Sequence, residues 1–261
     1  EIVLARAAPD NPFRFQTIEA LEGGLNSAEI PQLVDSTTRR RLALDANAAV
    51  LFSREETYGP WQRIAFVDAE MAPVLESVMA RLPFWEVGED HDRFGYFATL
   101  VGHPDTRIHR LALRELDLAD YRLLRGYDLQ VEPSRLLARL NDPLEAEFKP
   151  IRILLLGLTG DAQHRDVLEK GIESSVRSEG GYIGAYATAL IELIGPDAVT
   201  DLASSYLTDR DLSLFTRELL IEAISLHGQT GDPTMDNAIS VSIESALWVD
   251  PDLAGAVARR F

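Results

Sequence analysis

From Arg93 to Gly126 apolar residues fall at helical spacings in two short runs. Phe94, Phe97, Ala98 and Val101 form one stripe and Ile108, Leu111, Ala112 and Leu116 a second, with Arg107, Arg110 and Arg114 on the wet face between them. The linking stretch Gly102-His103-Pro104-Asp105 reads as a turn: Gly102 as a left-handed cap, Pro104 as a stop, Asp105 as an acceptor for the free N–H groups of the next helix. The prediction is helix, turn, helix.

The first seventy residues have another texture. Runs at 1–7 (EIVLARA), 13–23 (FRFQTIEALEG), 29–34 (EIPQLV), 48–53 (AAVLFS) and 61–67 (WQRIAFV) are short and separated by Pro, Gly, Asn and Asp. Phe13, Phe15 and Thr17 alternate with Arg14, Gln16 and Ile18, a period of two, before Gly23-Gly24 ends the run, so these segments are expected to be strands. TTRRRLALDAN at 37–47 is the exception, read as a solvated loop or helix turn. A helix follows in EMAPVLESVMA with Val74, Val78 and Leu82 four apart, then the acidic loop PFWEVGEDHD. This divides the chain into a small β-rich domain at 1–70, a helical connector and loop at 71–89, and a helical domain at 90–261.

Punctuation organises the rest. Gly126, Gly160, Gly195 and Gly231 stand 34, 35 and 36 residues apart, and the last three precede Asp directly or after Pro. Near-constant spacing points to stacked helix hairpins, each closed by Gly and the next opened by Asp or Pro-Asp. IRILLLGL (151–158), YIGAYATALIELI (182–194) and LSLFTRELLIEAISL (212–226) are apolar nearly all round and fit inner helices. AQHRDVLEKGI (162–172) and DAVTDLASSYL (197–207) are amphipathic and fit an outer layer, while PDLAGAVARRF would close the stack with a polar edge.

Taken together, HPDTRIHRLALRELDLADYRLLRG, PSRLLARLNDP, IRILLLGLTGD and GGYIGAYATALIELIG resemble bacterial HEAT-like repeat proteins of unknown function, in which a small β region precedes the helices; ALEGG at Ala20 and VLF at Val50 are similar to that region. The resemblance implies a mostly α fold, a HEAT-like α-solenoid behind a small domain resembling an OB or netrin-like barrel without its first strand. It also implies an export signal upstream of Glu1 and hence a periplasmic or secreted protein. It brings no catalytic residues.

Composition narrows the chemistry. The 261 residues are 46% apolar, enough for a sizeable core, and no apolar run approaches the length of a membrane span. A formal charge of −17 opposes polyanions, so neither nucleic acid nor anionic membrane is an expected partner, and the run Arg39-Arg40-Arg41 does not change that balance. Without cysteine there is neither disulfide nor thiol chemistry.

The remaining constellations have bland explanations. Glu89, Asp90, His91 and Asp92 could offer ligands to a divalent cation, but adjacent residues seldom converge on one ion, and a helix start accounts for them. His103 and His109 are six apart, which fits neither a helical zinc pair nor a finger, and His164 and His227 are isolated. SEGGYIG at Ser178 lacks the Lys-Ser/Thr of a phosphate cradle, and DPTMDN at 232–237 lacks the central Gly of a calcium loop, leaving Asp232 as a cap and Pro233 as first helical residue. No catalytic, cofactor-binding or metal residues are therefore assigned. The expected function is a non-enzymatic scaffold binding a protein or peptide through the helical surface. The competing expectation is an enzyme or small-ligand binder with its site between the β domain and the first helix pair, near Trp61, Trp85, His91 and His103.

Overall fold

The computed structural model describes residues 1–23, 29–55, 59–228 and 231–261. The chain is mostly α: 60% is helical, and the strands form one small, curled antiparallel sheet of five. It divides into two compact units, Glu1–Glu89 and Asp90–Phe261.

The first unit contains β1 (Ile2–Ala7), β2 (Arg14–Glu22), β3 (Glu29–Leu33), α1 (Ser36–Leu44), β4 (Ala49–Ser53), β5 (Gln62–Val67) and α2 (Ala72–Trp85), with strand order β3-β2-β1-β4-β5. The five segments that read as strands are the five strands. In β2, Phe15 and Thr17 turn inward while Gln16 and Ile18 face out, the outcome that alternation demands. The core gathers Val3, Ala5, Phe15, Ile30, Val50 and Phe52 with Leu42 from α1, and the rings of Phe15 and Phe52 meet edge-on at 4.9 Å. Curling brings residues near the two edge strands within side-chain reach. Gln32 of β3 donates to the carbonyl of Trp61, just ahead of β5, and Arg63 of β5 pairs at 3.0 Å with Asp35, just past β3. Arg6 of β1 donates to the carbonyls of Leu42, Asp45, Ala46 and Ala48, satisfying groups that the end of α1 leaves free.

The arginine run lies on α1 and is used locally: Arg39 sits over the ring of Phe13, and Arg41 over Phe66 while pairing with Asp68. The helix read as a connector, α2, is grouped with the sheet, and the division between units falls after Glu89.

The second unit runs through α3 (Asp90–Leu100), α4 (Thr106–Leu116), α5 (Tyr121–Leu124), α6 (Pro133–Ala138), α7 (Lys149–Thr159), α8 (Arg165–Arg177), α9 (Ile183–Ile194), α10 (Pro196–Leu202), α11 (Leu214–Ser225), α12 (Pro233–Val249) and α13 (Ala254–Arg260). α3 packs on α4. The apolar segments follow one another side by side, α7 on α9 and α9 on α11, while α8 and α10 also lie against α9 and α10 reaches α12. Ile151, Ile153, Leu155, Leu156, Leu190, Ile191, Leu220, Ile221 and Ile224 are all buried there.

Helix starts follow the Asp rule. Asp105, Asp120, Asp142, Asp161, Asp232 and Asp250 each accept a backbone N–H two residues ahead, and Pro233 follows Asp232 as the first residue of α12. Helix ends follow expectation in part. Gly160 and Gly195 cap the C-terminal ends of α7 and α9, Gly195 with φ +83°, but Gly102 is not left-handed. Gly102 is required for space: a Cβ there would fall 1.7 Å from the carbonyl oxygen of Gln130. On α4 the buried face comprises Ile108, His109, Ala112, Leu113 and Leu116, whereas Leu111 is only half-buried. The punctuation QTGDP includes residues 229 and 230, and the run-ending pair includes Gly24, all three outside the described residues.

Candidate functional site

Three polar clusters are built into the second unit. In the first, Glu145, in the short turn Pro143–Phe148, accepts hydrogen bonds from Arg110 at 2.7 Å and from the fully buried Arg152, with Arg139 at 3.5 Å. Burial works to raise the Glu145 carboxyl, but the hydrogen bonds of Arg110 and Arg152 outweigh it and hold the group below its ordinary value, so the cluster stays ionised. In the second, Arg217 of α11 donates at 2.7 Å to Asp250, which caps the turn after α12 and is held low mainly by that bond.

The third cluster joins three elements and borders a cavity. Tyr121 of α5 donates its hydroxyl to Oε2 of Glu192 on α9 at 2.8 Å, and Nε of Arg125 reaches the same oxygen at 2.9 Å. His227, 1% exposed just past α11, brings Nε2 to 3.2 Å from the carbonyl of Thr188 and Nδ1 to 3.6 Å from Glu192 Oε2. A carbonyl can only accept, so the Nε2–H tautomer is required and Nδ1 is bare. Burial is the main reason His227 is held down to about 4, against the opposing pull of Glu192. Burial first, then the Glu192 charge, pushes Tyr121 far above its ordinary 10, which keeps it a donor. The imidazole is sealed from solvent, so the cluster fastens α5, α9 and the end of α11 together and orients Arg125.

Arg125 lines a cavity of about 370 Å³ formed by the end of α5, the loop through Tyr127, Asp128 and Leu129, the start of α6 at Val131, Glu132 and Pro133, and the end of α7 at Leu158 and Thr159. Its volume lies within the range of small-molecule sites, roughly 300–1,000 Å³.

The residues singled out by sequence fall elsewhere. Asp90, His91 and Asp92 form the exposed first turn of α3, and the carbonyl of His91 accepts the Tyr127 hydroxyl at 3.1 Å. Glu89 closes the first unit, as Trp61 and Trp85 belong to it, whereas His103 belongs to the second. Among the described residues, no group of three or more His, Asp and Glu is placed to hold a metal ion. His103 Nδ1 accepts the amide of Asp105 at 3.1 Å, and His164 Nδ1 that of Asp161 at 3.1 Å, so both serve turns. His109 is buried, with Nδ1 against the carbonyl of Val101, and burial lowers its pKa. Ser178 ends α8: the amides of Glu179 and Gly180 bond back to Val176 and Ser175, and Glu179 takes φ +47°, a conformation in which glycine is more usual.

Sequence reading missed Tyr121, Arg125, Glu192 and Glu132. Glu192, a lone acid in the apolar run YIGAYATALIELI, was the available signal. No family model, curated protein or solved structure matches the chain.

Proposed function

We propose that the protein is an interaction scaffold, its second unit a HEAT-like solenoid that presents a surface to a protein or peptide partner. The single observation that carries this reading is Trp248. It is 81% exposed on α12, with the exposed Val241 seven residues earlier on the same face, while Met235, Ile239, Ser242, Ile243 and Ala246 form the buried side. A large aromatic left in water, on one helix face with a second exposed apolar side chain two turns away, is the kind of side chain that interface centres use. The succession of α7, α9 and α11 supports the solenoid assignment, as does the near-constant spacing of the glycines. For the first unit, the curled five-stranded sheet with side-chain bridges between its edges supports an OB or netrin-like barrel.

The test is a photo-crosslinking residue in place of Trp248, with the exposed Glu19 of β2 as the control position. A discrete protein adduct in extracts of the native source, formed from position 248 and not from position 19, is the expected result. If both positions give the same adducts or none, the scaffold reading of α12 is abandoned.

A further inference from the structure

The cavity between α5, α6 and the end of α7 holds both signs of charge in partly unused form. Arg125 engages Glu192 through Nε, and no acceptor among the described residues meets its terminal nitrogens. Because Glu192 is itself fixed by Tyr121, the guanidinium is held in place before any ligand arrives, and its free edge is suited to a carboxylate. Glu132, in the cap position of α6, accepts the amide of Arg135 on its backbone carbonyl, but its carboxylate makes no capping bond and has no hydrogen-bond or ion-pair partner among the described residues. Asp128 takes one bond from Gln130 at 2.6 Å and keeps its other oxygen. Leu158 and Thr159 bring the C-terminal end of the eleven-residue α7 to the same cavity, and that end is the negative pole of the helix.

A simple anion would meet the repulsion of Asp128, Glu132 and the α7 terminus, and a simple cation would leave the Arg125 edge unpaired. A molecule carrying both charges satisfies both sides. We propose that this cavity binds a small zwitterion, with its carboxylate on Arg125 and its ammonium between Glu132, Asp128 and the end of α7, the chemistry of a free amino acid. This site stands apart from the surface around Trp248, so either reading can fail without the other.

The experiment is calorimetric titration of the full chain with L-alanine, L-leucine, L-glutamate, L-lysine and L-phenylalanine in turn. Saturable one-to-one binding is expected from at least one of them at or below about 1 mM. The N-acetyl and the amide derivatives of that binder should each bind about tenfold or more weakly, because each removes one charge-assisted contact. Glu132→Gln should weaken binding by a similar factor without moving the unfolding midpoint, since the Glu132 carboxylate has no partner among the described residues to lose. Arg125→Lys, which keeps the charge but not the planar fork, should also weaken it. No saturable heat from any of the five, or affinity untouched by charge masking or by Glu132→Gln, overturns the proposal.

Discussion

At the scale of single residues, the informative side chains are polar groups whose surroundings fix one protonation state. His227 is the clearest. Its folded-state pKa is about 4, against an ordinary 6.5, because the ring is buried; Thr188 occupies Nε2, while Glu192, Arg125 and the Tyr121 ring surround the rest. Between these two values the unfolded chain binds a proton that the folded chain does not. The stability this gives the neutral ring is complete above pH 6.5 and is lost progressively as pH falls toward 4, by about 3 kcal/mol in all. His109, also lowered by burial, contributes with the same sign. Tyr121 does not titrate in this window, being raised further from it. Urea unfolding from pH 7 to pH 4 should therefore show a falling midpoint, and His227→Gln should flatten much of the decline. A variant whose midpoint falls as steeply as that of the wild type would show that His227 is not the titrating group. Sequence spacing marked His227 only as isolated; its burial depends on Thr188 and Glu192, nearly forty residues away in the chain, a proximity that no local pattern encodes.

At the scale of elements, periodicity carried most of what local physics can carry. The alternation in β2 and the three-four spacing in α3 and α4 are read directly from residues, and the Asp caps from their own side-chain chemistry. The glycines were harder, because two physical reasons for glycine look alike in sequence. Gly195 serves backbone conformation, whereas Gly102 and Gly157 serve close approach, which only the folded neighbour reveals. Likewise the cavity beside Arg125 arises from a loop and three helix termini that share no periodic signal. Gly157 makes the distinction testable. It lies inside α7, where replacing Gly by Ala ordinarily stabilises by about 1 kcal/mol. Here a Cβ would fall 2.6 Å from Cα of Ala189 and 2.8 Å from its carbonyl oxygen, so α7 and α9 would have to separate. Overpacking of this kind costs about 1–3 kcal/mol. Gly157→Ala should therefore lower the denaturant midpoint despite its better helix propensity, and an unchanged or raised midpoint would show that α7 and α9 do not meet closely at this position.

At the scale of the whole molecule, the division after Glu89 separates two kinds of core. The first unit closes a cluster of Val3, Ala5, Phe15, Ile30, Val34, Leu42, Ala48, Val50 and Phe52 within one sheet and α1. The second buries the apolar faces of α7, α9 and α11 against one another, with α8, α10, α12 and α13 packed on them. Its ionic clusters are internal too: Arg110 with Glu145, Arg125 with Glu192 and Arg217 with Asp250 each join residues lying beyond Asp90. A segment that contains its own core and the partners of these three buried charges keeps those ion pairs intact when separated. The fragment 90–261 should therefore fold alone, with strongly helical circular dichroism and a single cooperative urea transition. Carrying Leu155→Ala, whose side chain is fully buried in α7, that fragment should lose about 2–5 kcal/mol, because the cavity left in the core around α7 cannot collapse completely. A fragment with little helix, or one whose transition is broad and indifferent to Leu155→Ala, would show that the helices depend on residues before Asp90 for their packing.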